Sequence, residues 1–274
     1  MGELLLVGLG VGDERDLGTR ALEALGRADR VLAESYTSLW PPGTRERLSA
    51  LLGKEVQSVS RAELESERVV LEPLQQGLTV ALVVGGEPLA ATTHLSLRLA
   101  VERAGHAWRL YHHSSILTAA ASLVGLSHYK FGRTVSLPLF SERIRPDSSY
   151  DGILSNDRSG LHTLVLLDLD AEADRYLTAR EAVGLLAQME EARHGGVLTP
   201  GRRVAVVARV GREDPWVRVG AWERVASWDP GSPPHSLVLP ARELHFLEEE
   251  ALELWQRRET PAHASPIGPV ERPA

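Results

Sequence analysis

Leu4-Leu5-Leu6-Val7-Gly8-Leu9-Gly10-Val11-Gly12-Asp13-Glu14-Arg15-Asp16, near the start of this 274-residue chain, decides the reading of the fold. Leu4 to Val7 form an unbroken apolar run, the pattern of a strand buried on both faces. A Gly-x-Gly turn leaving such a strand lets the backbone approach a ligand that a Cβ would hold off. The dinucleotide fingerprint Gly-x-Gly-x-x-Gly asks for glycine at its sixth position, where this chain has Asp13. The stretch therefore points to a small-molecule site at a strand end outside the usual dinucleotide class, with a plain structural turn as the bland alternative.

Working outward, α/β alternation continues along the chain. Leu17, Ala21, Leu22, Ala24, Leu25 and Ala28 have helical spacing, and Arg30–Ala33 then reads as a second strand, which completes a βαβ unit. A strand at Glu55–Val59, an apolar strand at Thr79–Val84, a helix over Thr92–Ala104 and a strand at Ala107–Tyr111 follow. Ile116–Leu123 is small and apolar, as expected for a helix packed between lobes. Further strands are expected near Thr134–Leu137, Thr163–Leu167, Arg203–Arg209 and Ser236–Leu239. Thr178 with Glu181 three residues later is a capping box, and it predicts a helix over Thr178–Arg193. The expected organisation is an N-terminal α/β lobe over 1–113, a C-terminal α/β lobe over 114–256, and a disordered tail over 257–274, where prolines replace periodic apolar residues.

Composition narrows the chemistry. With no cysteine, thiolate nucleophiles, disulfides and the common structural zinc sites drop out. A net charge of −7 without a Lys/Arg stripe argues against tight binding to bare nucleic acid. No apolar run reaches the length of about 18 residues that a membrane span needs. No basic region precedes Leu4–Val7 and no small-residue cleavage site follows, so a cytoplasmic protein is expected. Of the 30 basic residues only Lys54 and Lys130 are lysines.

Four strand ends carry residues suited to a ligand: Gly8–Asp13, Gly85–Ala90, His112–Ile116 and Val210–Gly211. In an open α/β sheet such ends line one crevice, so loops distant in sequence converge on one molecule. The Gly85-Gly86 pair would expose backbone polar groups there, and the Glu87 carboxylate could accept from an amine. His112 and His113 are adjacent on a strand and point to opposite faces, so no metal site is expected. His162 and Asp168 lack a Gly-x-Ser-x-Gly elbow, so a hydrolase triad is not expected either. His235 stands before the last strand and follows Pro233-Pro234, which fix its backbone approach and single it out among the histidines, although a lone histidine of this kind is more often structural. Tyr36-Thr37-Ser38 and Tyr129-Lys130-Phe131-Gly132 add hydroxyls and aromatic surface, either near the crevice or as lobe packing.

Taken together, Gly8-Leu9-Gly10 with Asp13-Glu14-Arg15-Asp16, Ala33-Glu34 with Tyr36-Thr37-Ser38-Leu39, Leu89-Ala90-Ala91-Thr92-Thr93-His94, Tyr129-Lys130-Phe131-Gly132, Gly160-Leu161-His162-Thr163-Leu164, Gly195-Gly196-Val197, Ala208-Arg209 with Gly211, and Pro233-Pro234-His235 form a set. In this set the chain resembles the diphthine synthase family, of the tetrapyrrole methylase-like class, from residue 1 to about 255. The resemblance implies two α/β lobes with S-adenosyl-L-methionine in the cleft between them, S-adenosyl-L-homocysteine as product, and a homodimer. It implies successive methylation of the α-amino group of a 3-amino-3-carboxypropyl-histidine intermediate on elongation factor 2, giving diphthine for diphthamide biosynthesis.

The family's cofactor contacts fall on Leu9, Glu87, Ala90, Ser115, Ile116, Leu167, Val210 and His235. Glu87 departs from the aspartate usual in the family's Gly-Asp-Pro turn. No catalytic base is assigned. A tetrapyrrole (precorrin-type) methylase using the same cofactor is the alternative enzyme reading, and a family member kept only as a binding partner is the alternative outside catalysis.

Overall fold

The computed structural model describes residues 1–34, 36–139, 147–171 and 173–258. The first half runs β1 (Glu3–Gly8), α1 (Thr19–Arg27), β2 (Arg30–Glu34), α2 (Thr44–Leu52), β3 (Val56–Val59), α3 (Arg61–Glu65), α4 (Arg68–Gln75), β4 (Thr79–Val84), α5 (His94–Arg103) and β5 (Ala107–Tyr111). Its strands form one parallel sheet in the order β3-β2-β4-β1-β5. Strand periodicity sorts the apolar residues between two layers. Leu5, Val7, Ala81 and Val83 meet α1 and α2 on one face, while Leu4, Leu6, Val80, Leu82 and Val84 meet α4 and α5 on the other. The unbroken apolar run of β1 is thus explained by cover on both faces.

The second half contains α6 (Ile116–Val124), β6 (Val135–Leu137), α7 (Asp147–Arg158), β7 (Thr163–Leu167), the short pair β8 (Leu169–Asp170) and β9 (Arg175–Tyr176), α8 (Ala179–Arg193), β10 (Arg203–Ala208), β11 (Trp216–Ala221), β12 (His235–Leu239) and α9 (Phe246–Arg257). The second sheet has the order β11-β10-β12-β7-β6 and is antiparallel except for the β6–β7 pair. One face packs on α8 through Ala182, Val183, Leu186 and Met189, and the other on α6 and α9 through Ala120, Val124 and Leu252. The Thr178 capping box is present, with Glu181 N–H donating to Thr178 Oγ1 at 3.3 Å and the Glu181 carboxylate accepting from Thr178 N–H at 2.9 Å.

Two expectations change. Helix α6 belongs to the second sheet's core, because its small residues sit against Leu164, Ala205 and Val238 rather than between the lobes. Arg257, expected in the tail, closes α9; the rest of that expectation, 259–274, lies outside the described residues. Strand β11 and helices α7 and α9 were not read from the pattern, since polar and aromatic residues interrupt their apolar periods.

Candidate active site

The carboxyl ends of β1, β2, β4 and β5 lie along one edge of the first sheet, because all its strands are parallel. In the second sheet the register pairs the start of β12 with the ends of its neighbours: Ser236 faces Leu166 of β7, and His235 faces Ala208 of β10. Loops from both sheets line a single cleft. Gly10 and Val11 follow β1, Thr37–Leu39 follow β2, and Gly85–Glu87 with Ala90–Thr92 follow β4. Ser115 and Ile116 follow β5, Leu166 and Leu167 end β7, Leu169 starts β8, Arg209, Val210 and Arg212 follow β10, and Pro234–Ser236 lie at the start of β12.

The glycines at the floor have different reasons. Gly10 and Gly86 exchange two backbone hydrogen bonds, Gly10 N–H to Gly86 C=O at 3.3 Å and the reverse at 2.8 Å, which zips the β1 and β4 loops together. Gly10 has φ +80, and a Cβ there would stand 2.3 Å from His113 Nδ1. Gly86 has φ +74 with nothing within 4 Å of its would-be Cβ, so it leaves open space at the cleft wall. Both need the left-handed region that glycine enters without the penalty of a side chain.

Glu87 is a brace. Its Oε2 accepts the His113 backbone N–H at 2.8 Å and its Oε1 meets His112 Nδ1 at 2.9 Å, tying the β4 loop to the end of β5. His113 continues the tie: Nδ1 accepts the Ser114 N–H at 2.8 Å, so Nε2 carries the hydrogen and donates to the Asp16 carbonyl at 2.7 Å. The adjacent histidines thus hold loops together, and among the described residues no His/Cys/Asp/Glu group is arranged to hold a metal. Behind the loop after β2, the fully buried Glu34 carboxylate accepts from Thr37 N–H at 2.6 Å and Thr37 Oγ1 at 2.7 Å, with His94 Nε2 at 3.5 Å.

His235 is buried, and both ring nitrogens are engaged. Nδ1 accepts the Ala179 N–H at the start of α8 at 3.3 Å, which leaves Nε2–H to donate to the Gly231 carbonyl at 3.1 Å. Burial holds its pKa below the usual histidine range, so the ring is neutral at pH 7. It lines the cleft as part of β12 and carries no proton in or out.

Of the eight positions singled out from sequence, Glu87, Ala90, Ser115, Ile116, Leu167, Val210 and His235 line this cleft. Leu9 does not: its side chain is buried in the core under α1, and its N–H is bonded to Val84 C=O at 2.8 Å. Lining residues that the sequence reading missed include Leu166, Leu169, Val207 and Arg212, although the strand-end rule that found Val210 would have reached Leu169 and Arg212. Tyr129-Lys130-Phe131-Gly132 and Gly160–Leu164 lie at the opposite end of the second lobe, the latter running into the start of β7, and Tyr129 is wholly exposed.

The cleft suits a ligand with an apolar body and a few polar points. Ile116, Leu167, Val207 and Val210 supply apolar wall, the Gly85-Gly86 loop supplies backbone, and α6 starts at the cleft with its positive end. Ser115 caps α6 by accepting from Leu117 N–H at 3.2 Å, while the helix's positive end still favours an anion.

Two facing α/β lobes with such a cleft define a methylase class: the family model Tetrapyrrole (Corrin/Porphyrin) Methylases matches residues 3–225. Diphthine synthase of Methanothermobacter thermautotrophicus is 39% identical over 91% of this chain and 94% of its own length. That of Methanocella arvoryzae is 38% identical over 91% and 96%. A crystal structure of diphthine synthase superposes with a TM-score of 0.82 at 31% identity, covering 93% of this chain and 96% of that one. The chain belongs to the diphthine synthase family, and its activity is that of a diphthine synthase-like methyltransferase.

Proposed function

We propose that the chain binds S-adenosyl-L-methionine in the inter-lobe cleft and methylates, in successive steps, the α-amino group of the 3-amino-3-carboxypropyl-histidine intermediate on elongation factor 2, giving diphthine. The carrying observation is the junction of Gly10 and Gly86 with the start of α6. It offers the open space over Gly86 and the positive end of a helix beside apolar wall, the setting an amino-acid-bearing nucleoside needs. The family names, diphthine synthase and tetrapyrrole methylase, support the same cofactor class.

When bound, the cofactor would supply an activated methyl group to the acceptor's amine nitrogen, with S-adenosyl-L-homocysteine as the leaving product and solvent to take any proton the nitrogen sheds. The protein's part is placement. Gly10 and Gly86 hold the β1 and β4 loops together and leave room for the amino-acid end beside the first turn of α6, Leu167, Val207 and Val210 keep water from the apolar portion, and Glu87 keeps the β4 loop in register with β5. Fixing nitrogen, carbon and sulfur in line is worth on the order of 7–11 kcal/mol. An α-amino group, with a pKa of about 7.7–8.0, keeps a reactive neutral fraction of roughly a tenth at pH 7. The Glu87 carboxylate and the His235 ring are both occupied in structural hydrogen bonds, so neither is assigned as a base. On this reading the enzyme works as a cytoplasmic homodimer, with no membrane or direct nucleic-acid partner.

Calorimetric titration with S-adenosyl-L-homocysteine, followed by mass analysis of elongation factor 2 carrying the precursor group after incubation with S-adenosyl-L-methionine, tests the proposal. Binding and mass gains in steps of one methylene are expected. Transfer to a precorrin instead would replace it with the tetrapyrrole methylase reading, and no cofactor binding would remove catalysis altogether.

A further inference from the structure

The β10–β11 turn and the β1 loop meet at the mouth of the cleft, and their charges pair selectively. Arg15 takes both Asp13, at 2.8 Å, and Glu213, at 3.1 Å. Arg209, held at φ +51, takes the Asp214 carboxylate at 2.8 Å and the Pro230 carbonyl at 2.6 Å. Arg47 clamps Glu14 through two nitrogens, at 2.5 and 3.0 Å. Every carboxylate of Asp13, Glu14, Glu213 and Asp214 is therefore engaged by an arginine other than Arg212.

Arg212 lies among these groups, lines the cleft, and also lines the adjoining hollow bounded by Gly12, Asp13 and Pro41. Among the described residues no carboxylate comes within 4.0 Å of its guanidinium, and Asp214 and Asp13 act on it only at longer range. Partial burial lowers its pKa from the usual arginine value, yet an arginine in a protein stays charged. A half-buried guanidinium held without a carboxylate partner at the mouth of a ligand cleft is free to take an anion from the ligand.

Resting on the function proposed above, we infer that Arg212 binds the α-carboxylate of the methyl acceptor and thereby places its amine. Amine and carboxylate of a 3-amino-3-carboxypropyl group share one carbon, so gripping the carboxylate sets the nitrogen two bonds away. The carboxylate is also unchanged by each methyl transfer, whereas the nitrogen grows and changes charge. One anchor therefore serves every step of a repeated reaction. The cofactor carries the same amino-acid group, but the first turn of α6 gives that carboxylate a separate positive site. Arg212 is thus a specificity-determining residue for the acceptor.

The test compares the wild-type chain with Arg212→Met and Arg212→Lys, using elongation factor 2 that carries the precursor group. Loss of a charge-assisted hydrogen bond predicts that Arg212→Met lowers kcat/KM roughly tenfold to hundredfold, mainly through KM, with partial rescue in Arg212→Lys. S-adenosyl-L-homocysteine affinity and melting temperature stay as in the wild type. Unmodified elongation factor 2, which lacks the carboxylate, is to be used as a competitive inhibitor and keeps the same inhibition constant in all three proteins.

An unchanged kcat/KM overturns the inference. A parallel loss of S-adenosyl-L-homocysteine affinity transfers Arg212 to the cofactor's carboxylate and overturns it equally. Weaker inhibition by unmodified elongation factor 2 makes Arg212 a docking contact and overturns it too. A wild-type chain that binds S-adenosyl-L-homocysteine but transfers nothing to the precursor overturns the proposed substrate, and the inference with it.

Discussion

His162 Nε2 stands 3.0 Å from Glu248 Oε1, joining the residue before β7 to the first turn of α9. Ala241 N–H donates to His162 Nδ1 at 2.8 Å, so the hydrogen sits on Nε2 and the ring is neutral, as burial also favours. Glu248 further accepts from Ser127 N–H at 3.0 Å and His245 N–H at 2.9 Å, with Lys130 Nζ at 3.3 Å. Two of the most recognisable stretches of the sequence thus build a clamp remote from the cleft.

This clamp sets an acid limit. Burial alone would raise the Glu248 pKa, but the Ser127 and His245 amides and the His162 ring outweigh it and hold it at about 2. A depressed carboxylate stabilises the fold above its unfolded value near 4.5, and that contribution disappears as pH falls from 4.5 towards about 2. Glu248→Gln should therefore be less stable at pH 7, by about 1.5–3 kcal/mol for a lost charged hydrogen bond, and flatter in stability between pH 4.5 and 2. Urea midpoints measured across that range check it, and S-adenosyl-L-homocysteine affinity at pH 7 should not move.

His235→Ala leaves the Ala179 N–H and Gly231 carbonyl without partners, which costs about 1–3 kcal/mol. Because the neutral ring has no role in proton transfer, the pH–rate profile of methyl transfer should keep its shape. Loss of a limb below pH 6.5 would make His235 an acid–base group after all. Its stability signature has the sign of a depressed histidine: support present above the ordinary value of 6.5 and lost as pH falls below it.

Glu87→Ala removes the link from the β4 loop to His112 and to the His113 amide. The loss loosens the Gly85–Ala91 turn, so cofactor affinity should fall roughly tenfold, the worth of one charge-assisted hydrogen bond. Glu87→Gln keeps an acceptor for the His113 N–H and should recover most of it. Calorimetry with S-adenosyl-L-homocysteine separates the two variants, and equal losses would mean that the charge itself meets the ligand.

Gly10→Ala and Gly53→Ala both place a Cβ at positive φ, +80 and +63, but only the former meets an obstacle, His113 Nδ1 at 2.3 Å. Gly53→Ala should cost only the left-handed penalty of about 1–2 kcal/mol and leave binding intact. Gly10→Ala should cost more and abolish cofactor binding, because His113 cannot yield without releasing Asp16 and Ser114. Thermal melts and calorimetry on both proteins decide the matter.

What could be read in advance follows from physical range. The apolar run of β1, the Thr178 capping box and the bounds of β4 and β5 depend on neighbours a few residues away, and they stand where the pattern placed them. The strand-end glycines could be recognised because positive φ and close backbone approach select glycine locally. Strand β11 and helix α9 escaped because Trp216, Arg218 and the acidic run of α9 become intelligible only beside their packing partners.

By itself the sequence determined the α/β alternation, the family and most of the residues that line the cleft, since each is written in local periodicity, turn chemistry or shared motifs. Only the tertiary structure decided what those residues do. It turned Glu87 and His113 into braces, His235 into a neutral wall and His162 into part of a distant clamp, and it left Arg212 unpaired at the cleft mouth. Hydrogen-bond partners and burial come from strands brought together across tens to hundreds of residues. No window of sequence carries them.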